Sequence, residues 1–273
     1  MKGSSRLNSI ELSQSIRKIV VGLSHKYGTA HLGSSLSCAD ILAVLFNSHL
    51  KNYVPGEWNK SNDFFILSKG HAATSLYACL FHNEFITWEE LQDYSQPGSN
   101  LEEHPNSTIP GVETASGSLG HGLSFGCGLA LGQKVKNTER RTYVVMSDGE
   151  CNEGTVWEAA MFASAKDLSG LTVLIDHNGW QATGPIQESI GAIKISELFD
   201  AFGWHALDVD GHDHVALDSA LSETRNLEKP VAIICHTVKG KGVSFMENDN
   251  NWHYRAPSSE ELRVALIEIE SSL

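Results

Sequence analysis

The most regular feature of the chain is a series of short apolar runs rich in Val, Ile and Leu. Runs of this length and composition are typical of strands buried on both faces of a parallel sheet. Five strands are predicted, at Phe64–Leu67, Thr142–Met146, Leu171–Ile175, His205–Val209 and Val231–Cys235. Helical periodicity between most of these runs predicts an α/β fold with a doubly wound, mostly parallel sheet flanked by helices.

Helices are predicted where apolar positions recur at helical spacing, often behind a capping pair spaced three residues apart. The pairs are Asn8 with Glu11, Ser37 with Asp40, Thr87 with Glu90, and Thr155 with Glu158. The predicted helices run from Asn8 to about Gly28, after Thr87, and over Ala39–Asn47, Ala72–Asn83, Gly120–Lys136, Val156–Asp167, Ser196–Phe202, Val215–Thr224 and Ser259–Ile269.

Loops are predicted over 29–37, 95–120 and 239–257, and loops as long as the last two are usually functional in compact domains. The sequence contains neither an internal repeat nor a linker composition. A chain of 273 residues is long enough to bury one full core. We therefore expect residues 1–273 to form a single domain.

Two polar residues follow neighbouring predicted strands, Asp148 after Thr142–Met146 and Asn178 after Leu171–Ile175. A strand–helix–strand unit brings the carboxyl ends of its parallel strands to one edge, where α/β folds bind ligands. One carboxylate and one carboxamide suit a hard cation such as Mg²⁺ or Ca²⁺, which phosphate oxygens help to coordinate. The pattern fits a metal-bridged diphosphate, although two ordinary βα loops with a helix cap and a turn Asn would also produce it.

Composition limits the choice of partners and compartment. The net charge of −13 disfavours nucleic acid and anionic membranes as partners. Five scattered cysteines without C-x-x-C spacing indicate reduced thiols, and the N-terminus lacks the apolar core of a signal peptide. We expect a cytoplasmic protein without a membrane span.

The stretch SDGECNEG…DHNG resembles the thiamine diphosphate fingerprint, and EGTVWEAAMFA extends the likeness to the N-terminal part of transketolases. The resemblance runs from about Leu12 to Pro257 and implies thiamine diphosphate as the cofactor. It also implies that Asp148, Asn178 and the backbone carbonyl of Trp180 bind the metal.

The resemblance extends to four histidines in the contexts TAHLGSSLS, SKGHAA, EEHPN and NNWHY. In transketolases such histidines line the channel to the reactive carbon of the cofactor, and His71 and His253 also contact the cofactor itself. It therefore implies catalytic roles for His31, His71, His104 and His253, which suit imidazole because its pKa is near neutrality. A lone loop histidine is more often solvent-exposed, and His205, His212 and His214, which lack such contexts, are predicted to lie at the surface.

Two further segments have counterparts in transketolases. By resemblance, Gly117, Ser118 and Leu119 in ASGSLGHG pass beside the cofactor, and Gly149 and Glu150 lie at its diphosphate. Glu153 is expected in a carboxylate network between subunits, or else as a solvated charge at a helix cap. Lys239 and Lys241 are either loop charges or phosphate neighbours.

Full-length transketolases also contain a pyrimidine-type domain, whose glutamate activates the cofactor, and a third domain. This sequence contains neither, while its first residue is Met and its last helix ends in polar SSL, so we expect both termini to be complete. The resemblance implies a split transketolase in which a separate C-terminal subunit completes an α2β2 heterotetramer. That assembly would pass a two-carbon ketol unit from a ketose to an aldehyde.

Two alternatives stay open. One is a subunit of a 2-oxo acid decarboxylating or ligating enzyme, such as a deoxyxylulose-phosphate-synthase-like protein, and the other is a non-catalytic binding paralogue. The sugar or sugar-phosphate substrate is also open, because several residues near the expected pocket depart from the usual transketolase pattern. These residues are Ser34, His121, Ser147, Thr183 and Tyr254. They point to a donor or acceptor other than the ordinary pentose phosphates.

Overall fold

The computed structural model describes residues 7–51, 53, 62–189, 191 and 193–271. Its strands are β1 (Phe64–Leu67), β2 (Thr142–Ser147), β3 (Leu171–His177), β4 (His205–Asp210) and β5 (Val231–His236). They form one five-stranded sheet in the order β1-β2-β3-β5-β4, and every pairing is parallel. All five predicted strands are confirmed, and β2 to β5 each continue one or two residues further than expected.

Helices connect and cover the strands. They are α1 (Ser9–Tyr27), α2 (Leu32–Ser37), α3 (Ala39–Val44), α4 (Ala73–His82), α5 (Trp88–Gln92), α6 (Gly122–Lys136), α7 (Gly154–Ala165), α8 (Ile186–Ser189), α9 (Ile195–Ala201), α10 (His214–Glu223) and α11 (Ser259–Ser271). The segment Leu45–His49 continues α3 as a π-helix. Short 3₁₀ segments span Gly70–Ala72, Gly149–Asn152, Thr224–Asn226 and Asn250–His253.

Strand side chains alternate between two hydrophobic cores, one on each face of the sheet. In β2, Tyr143 and Val145 join the core built with α1, α3, α4 and α11, whereas Val144 and Met146 join the core built with α6, α7 and α9. All four are inaccessible to solvent. Because both faces are covered, the strands read as continuous apolar runs, and the predicted doubly wound α/β class is confirmed.

The capping interactions predicted from the sequence are present at helix ends that are exposed to solvent. Asn8 and Glu11 form a reciprocal capping box at the start of α1, and Thr87 and Glu90 do the same at α5. Helix α1 ends at Gly28, which has a left-handed φ of 69°. Two of the four predicted capping pairs are therefore confirmed.

Two other capping predictions are wrong because tertiary contacts compete for the same hydroxyls. The predicted loop over 29–37 contains α2, and the Ser37 hydroxyl donates to the Asp176 carboxylate at 2.5 Å instead of capping α3. Helix α7 has Glu153 at its N-cap, and the Thr155 hydroxyl donates to the Gly120 carbonyl at 3.0 Å. The Ser37 hydroxyl belongs to the candidate site described below.

Two further features concern the cysteines and the length of the helices. All five cysteines are free and buried. Within the ranges that the structure describes, no helix combines the length and apolar character that crossing a membrane requires.

Candidate active site

A cleft of about 430 Å³ opens at the carboxyl edge of the sheet, beyond the ends of β1, β2, β3 and β5. Its lining includes most of the predicted site residues, namely His31, His71, His104, Gly117, Leu119, Gly149, Glu153, Asn178, Trp180 and His253. The lining also includes Ser34, Ser147, Asn152, Gln181, Ala182, Thr183 and Lys239. Predicted site residues from opposite ends of the chain therefore share one concave surface.

Asp148 and Asn178 lie side by side, as the strand order requires. Ser147 at the end of β2 is in register with Asp176 of β3, which places the next residues of both strands at the same edge. The Asp148 carboxylate accepts from the backbone N–H groups of Gly149 (2.8 Å) and Gly179 (2.6 Å). The backbone of the two loops thus orients the carboxylate towards the second strand end.

The Asn178 carboxamide is oriented in the same way. Its oxygen accepts from the backbone N–H of Trp180 at 3.0 Å. Its nitrogen donates to the Ser37 hydroxyl at 3.3 Å and to the Asp176 carboxylate at 3.4 Å. These bonds fix the orientation of the carboxamide, with its oxygen facing the backbone of the loop that contains Trp180. The backbone carbonyl of Trp180 is the third expected metal ligand.

Sequence reasoning missed the ion pair beneath these residues. Lys69, which follows β1, pairs with Asp176 of β3, and both side chains are fully buried. Asp176 also accepts from Ser37 and Thr237, while Lys69 donates to the Ser34 carbonyl at 3.0 Å. The sequence pattern that could have predicted this pair is a lysine near the end of one apolar run and an aspartate at the end of another. Charges at such buried positions are retained only when they are paired.

Asp148 differs from Asp176 in having no such compensation. Within the described residues it has no cationic side chain at ion-pairing distance, because the Lys69 ammonium is bound to Asp176. Burial, together with the negative charge of Asp176, raises the pKa of Asp148 to about 7. A buried carboxylate in this condition is stabilised by a bound cation.

The donors around Asp148 fit a hard cation. A carboxylate, a carboxamide and a backbone carbonyl are oxygen donors of the kind that Mg²⁺ and Ca²⁺ prefer. Among the residues that the structure describes, no group of three or more His, Cys, Asp or Glu side chains is arranged to hold a metal. A metal at Asp148 would therefore need ligands other than clustered side chains of these four types, and phosphate oxygens are of a kind that suits Mg²⁺.

Four histidines cluster over this edge. The His31 ring lies 5.0 Å from that of His253, 5.6 Å from that of His71 and 5.8 Å from that of His104, measured between centroids. His31 has a left-handed φ of 67°, and its backbone N–H donates to the His253 carbonyl at 2.8 Å. Four loops that are distant in sequence thus present imidazoles to one cleft.

Burial controls the charge of these rings. It lowers the pKa of His253 to about 3, with the Lys239 charge adding to the effect. It holds the pKa of His71 well below its usual range, assisted by Lys69, and lowers the pKa of His31. At neutral pH these three imidazoles are neutral, so each can donate one hydrogen bond and accept another.

The glycine-rich loop packs closely against the histidines. A Cβ atom on Gly117, whose φ is 124°, would lie 2.3 Å from Cδ2 of His104, so only glycine fits there. The same loop is anchored from below by Glu150, which accepts from the backbone N–H of Gly120 at 2.8 Å and from the Ser68 hydroxyl.

Two predicted cofactor contacts do not line the cleft. Glu150 is fully buried beneath the loop, and Ser118 lies with its hydroxyl 3.4 Å from Nδ1 of His121. Glu150 thus supports the loop that borders the cleft, and direct contact of either residue with a cofactor stays a prediction. Asp148 itself is buried immediately behind the lining.

Lys239 lines the cleft, and its role as a phosphate neighbour stays a prediction. Its ammonium donates to the Asn250 side chain at 2.7 Å and lies 5.7 Å from the centre of the Trp180 ring. Burial, with the nearby charge of Lys69, lowers its pKa to about 8. Lys239 therefore supplies positive charge beside the loop of Asn178 and Trp180.

The surface prediction for His212 and His214 is wrong. Both rings are largely buried and bond to the Asp40 carboxylate, at 2.7 Å and 3.0 Å, which Arg17 also binds through both of its terminal nitrogens. Pairing with Arg17 and these histidines opposes burial and holds the pKa of Asp40 well below its usual range. This cluster joins α1, α3 and the β4–α10 turn outside the cleft.

The fold and cleft define a thiamine diphosphate-binding domain, and comparisons with known proteins agree. The family model "Transketolase, thiamine diphosphate binding domain" matches residues 9–268. The chain is 34% identical to one subunit of the apulose-4-phosphate transketolase of Phocaeicola vulgatus, covering 98% of this chain and 96% of that protein. It is 35% identical to the 6-deoxy-6-sulfo-D-fructose transketolase subunit of a Clostridium species, covering 93% and 94%.

A solved structure extends the comparison. The chain superimposes on transketolase from Campylobacter jejuni with a TM-score of 0.89 and 26% identity, covering 96% of this chain but 42% of that one. The chain belongs to the transketolase family and corresponds to its thiamine diphosphate-binding domain.

Proposed function

We propose that this chain is the diphosphate-binding subunit of a two-subunit transketolase, which moves a two-carbon ketol unit from a ketose donor to an aldehyde acceptor. The observation that carries the proposal is the carboxylate of Asp148, which is buried beside Asn178, has no cation at ion-pairing distance among the described residues and lies under a cluster of four histidines. A metal-bridged diphosphate supplies the positive charge and the oxygen ligands that this arrangement needs.

In this proposal, Asp148, Asn178 and the Trp180 carbonyl hold Mg²⁺ (or Ca²⁺), which binds the cofactor diphosphate. Gly117 and Leu119 border the cofactor, and their loop is kept in place by Glu150. When bound, thiamine diphosphate supplies the nucleophilic carbon for cleaving and forming the C–C bond. The chain itself anchors and orients the cofactor.

The histidines supply hydrogen bonds to the substrate. His31, His71 and His253 are neutral at physiological pH, so each can donate one hydrogen bond to a substrate hydroxyl or carbonyl oxygen and accept one from a substrate hydroxyl, and His104 completes the cluster. The His31 ring centroid lies within 6 Å of each of the other three. Because His31, His71 and His253 are neutral, this spacing does not bring several positive charges together. Donor and acceptor are a sugar or sugar phosphate.

A partner subunit is part of the proposal. Two of the relatives are named as subunits of transketolases, and the chain spans 36% of a human transketolase. Helices α6 and α7 expose an apolar face, in which Phe125 is 53% exposed and Met161 and Phe162 are nearly as open. Such a face favours a two-fold assembly, and Glu153, which lines the cleft, is expected where the cofactor meets the partner subunit.

Calorimetric titration of thiamine diphosphate with Mg²⁺ tests the proposal. The chain is titrated alone and then with the subunit that carries a pyrimidine-type domain, and ketol transfer is assayed in the mixture. We expect binding to appear or tighten strongly when the partner is added. Absence of binding in both titrations would overturn the proposal in favour of a non-catalytic paralogue. Binding with 2-oxo acid decarboxylation but no ketol transfer would favour the decarboxylating class.

A further inference from the structure

Two loops meet at the outer end of the cleft. Residues 180–185 form a tight hairpin, closed by the Trp180–Pro185 bridge and by the Gln181 N–H donating to the Gly184 carbonyl at 2.8 Å. Its tip, Gln181 to Thr183, lines the cleft. The second loop contains Asn250 and runs on past His253.

The Ala182 carbonyl joins the two loops. It accepts from the Asn250 side-chain amide at 2.9 Å and from the Tyr254 hydroxyl at 2.8 Å. The Lys239 ammonium adds a longer bond of 3.4 Å to the Gln181 carbonyl. The position of the hairpin tip over the cleft thus depends on a few side-chain bonds from the opposite wall.

Among the three side-chain donors to the hairpin tip, Tyr254 is the exposed one. The residue is 62% exposed, and its ring meets the His253 ring edge-on, with centroids 4.9 Å apart at 76°. Its side chain thus connects a cleft histidine, which the ring contacts, with the hairpin tip, which the hydroxyl bonds. Packing does not require this ring, because it faces solvent and belongs to neither hydrophobic core.

We propose that Tyr254 is a specificity-determining residue that holds the hairpin tip over the cleft and limits the length of the acceptor aldehyde. The proposal rests on the transketolase function proposed above. Short aldehydes fit within the wall formed by Tyr254 and Ala182, whereas the distal carbons of longer aldoses meet it.

The first test needs no turnover. Hydrogen exchange is measured by mass spectrometry on the full chain for Tyr254→Phe, Tyr254→Gly and, as a surface control on α11, Ile267→Ala. Exchange in peptides covering 180–185 should rise about fivefold in both Tyr254 variants, the effect of losing one ordinary hydrogen bond. Unchanged exchange in both would overturn the proposed role in holding the tip.

A second measurement reports access to the cleft. Modification of His31 and His253 by diethyl pyrocarbonate, mapped by mass spectrometry, should be faster in Tyr254→Gly than in wild type. Tyr254→Phe keeps the ring against His253 and should show a smaller increase. Equal rates in wild type and Tyr254→Gly would overturn the idea that the ring closes the cleft.

Substrate choice is tested with the assembled enzyme, using glycolaldehyde and a five-carbon aldose as acceptors. The ratio of kcat/KM for the longer acceptor to that for glycolaldehyde should rise about tenfold in Tyr254→Gly, and an unchanged ratio would overturn the specificity role. If wild type transfers no ketol unit to either acceptor, the proposed function fails, and the role in acceptor choice fails with it. In that case the hydrogen-exchange experiment still tests whether Tyr254 holds the hairpin tip, and the diethyl pyrocarbonate experiment still tests whether its ring closes the cleft.

Discussion

Replacing Lys69 by methionine removes the cation from a carboxylate that has no contact with solvent. Lys69 and Asp176 are both fully buried, and their pairing opposes burial, lowering the pKa of Asp176 and raising that of Lys69. Methionine matches the length of the lysine stem, so the change removes charge with little change in volume. The variant isolates electrostatics from packing.

The expected loss can be estimated from the remaining contacts. Removing one partner of a buried ion pair costs about 3–5 kcal/mol of unfolding free energy. Asp176 keeps its bonds from Ser37, Thr237 and Asn178, so we expect the lower end, about 3 kcal/mol. For a domain of this size the midpoint of thermal unfolding should fall by about 6 °C or more.

The loss should depend on pH with a defined sign. In wild type, the pKa of Asp176 is lower in the folded protein than in the unfolded chain, where it is about 4. The resulting stabilisation is fully present above the unfolded pKa and is lost as pH falls through the folded pKa. Without Lys69, burial should raise the pKa of Asp176 above its unfolded value. Folding then takes up a proton, so the penalty should shrink as pH falls from 7.5 to 5.5.

Urea unfolding at both pH values, followed by circular dichroism, measures the effect. The double variant Lys69→Met with Asp176→Asn removes both charges and should recover most of the lost stability, because a neutral amide is far cheaper to bury than an unpaired carboxylate. A loss below about 1 kcal/mol in the single variant, or a double variant less stable than the single, would refute the reasoning.

Asp148→Ala should abolish Mg²⁺-dependent binding of thiamine diphosphate in the assembled enzyme while leaving the fold intact, and retained tight binding in calorimetry would refute the metal assignment. In wild type the same binding should weaken about tenfold per pH unit below pH 7, because the pKa of Asp148 is raised to about 7 and a metal binds the ionised carboxylate. An affinity that does not change between pH 8 and pH 6 would contradict this. His253→Ala should lower kcat more than cofactor affinity, and a loss confined to affinity counts against its role. Phe125→Asp should prevent two-fold assembly in sedimentation velocity, whereas Ile267→Asp should not.

Short-range patterns predicted much of this molecule. The strands were predictable because buried parallel strands are continuous apolar runs, and α1 and α5 because their caps bond only to their own first turn. Asp148 and Asn178 could be paired in advance because adjacent parallel strands end at the same edge. The histidines were predicted through family resemblance alone, since no local rule distinguishes them from surface loop residues.

The tertiary structure decided what depends on contacts between distant segments. Ser37 was expected to cap a helix and instead bonds Asp176, from which it is separated by 139 positions. Lys69 and Asp176 form their ion pair across 107 positions, and the Ala182 carbonyl gains Tyr254 as a donor across 72. The sequence by itself determined most of the elements and the edge at which the cleft opens, because periodicity and strand direction are local. Charge compensation, imidazole ionisation and the wall of the cleft depend on burial, which only the assembled fold creates.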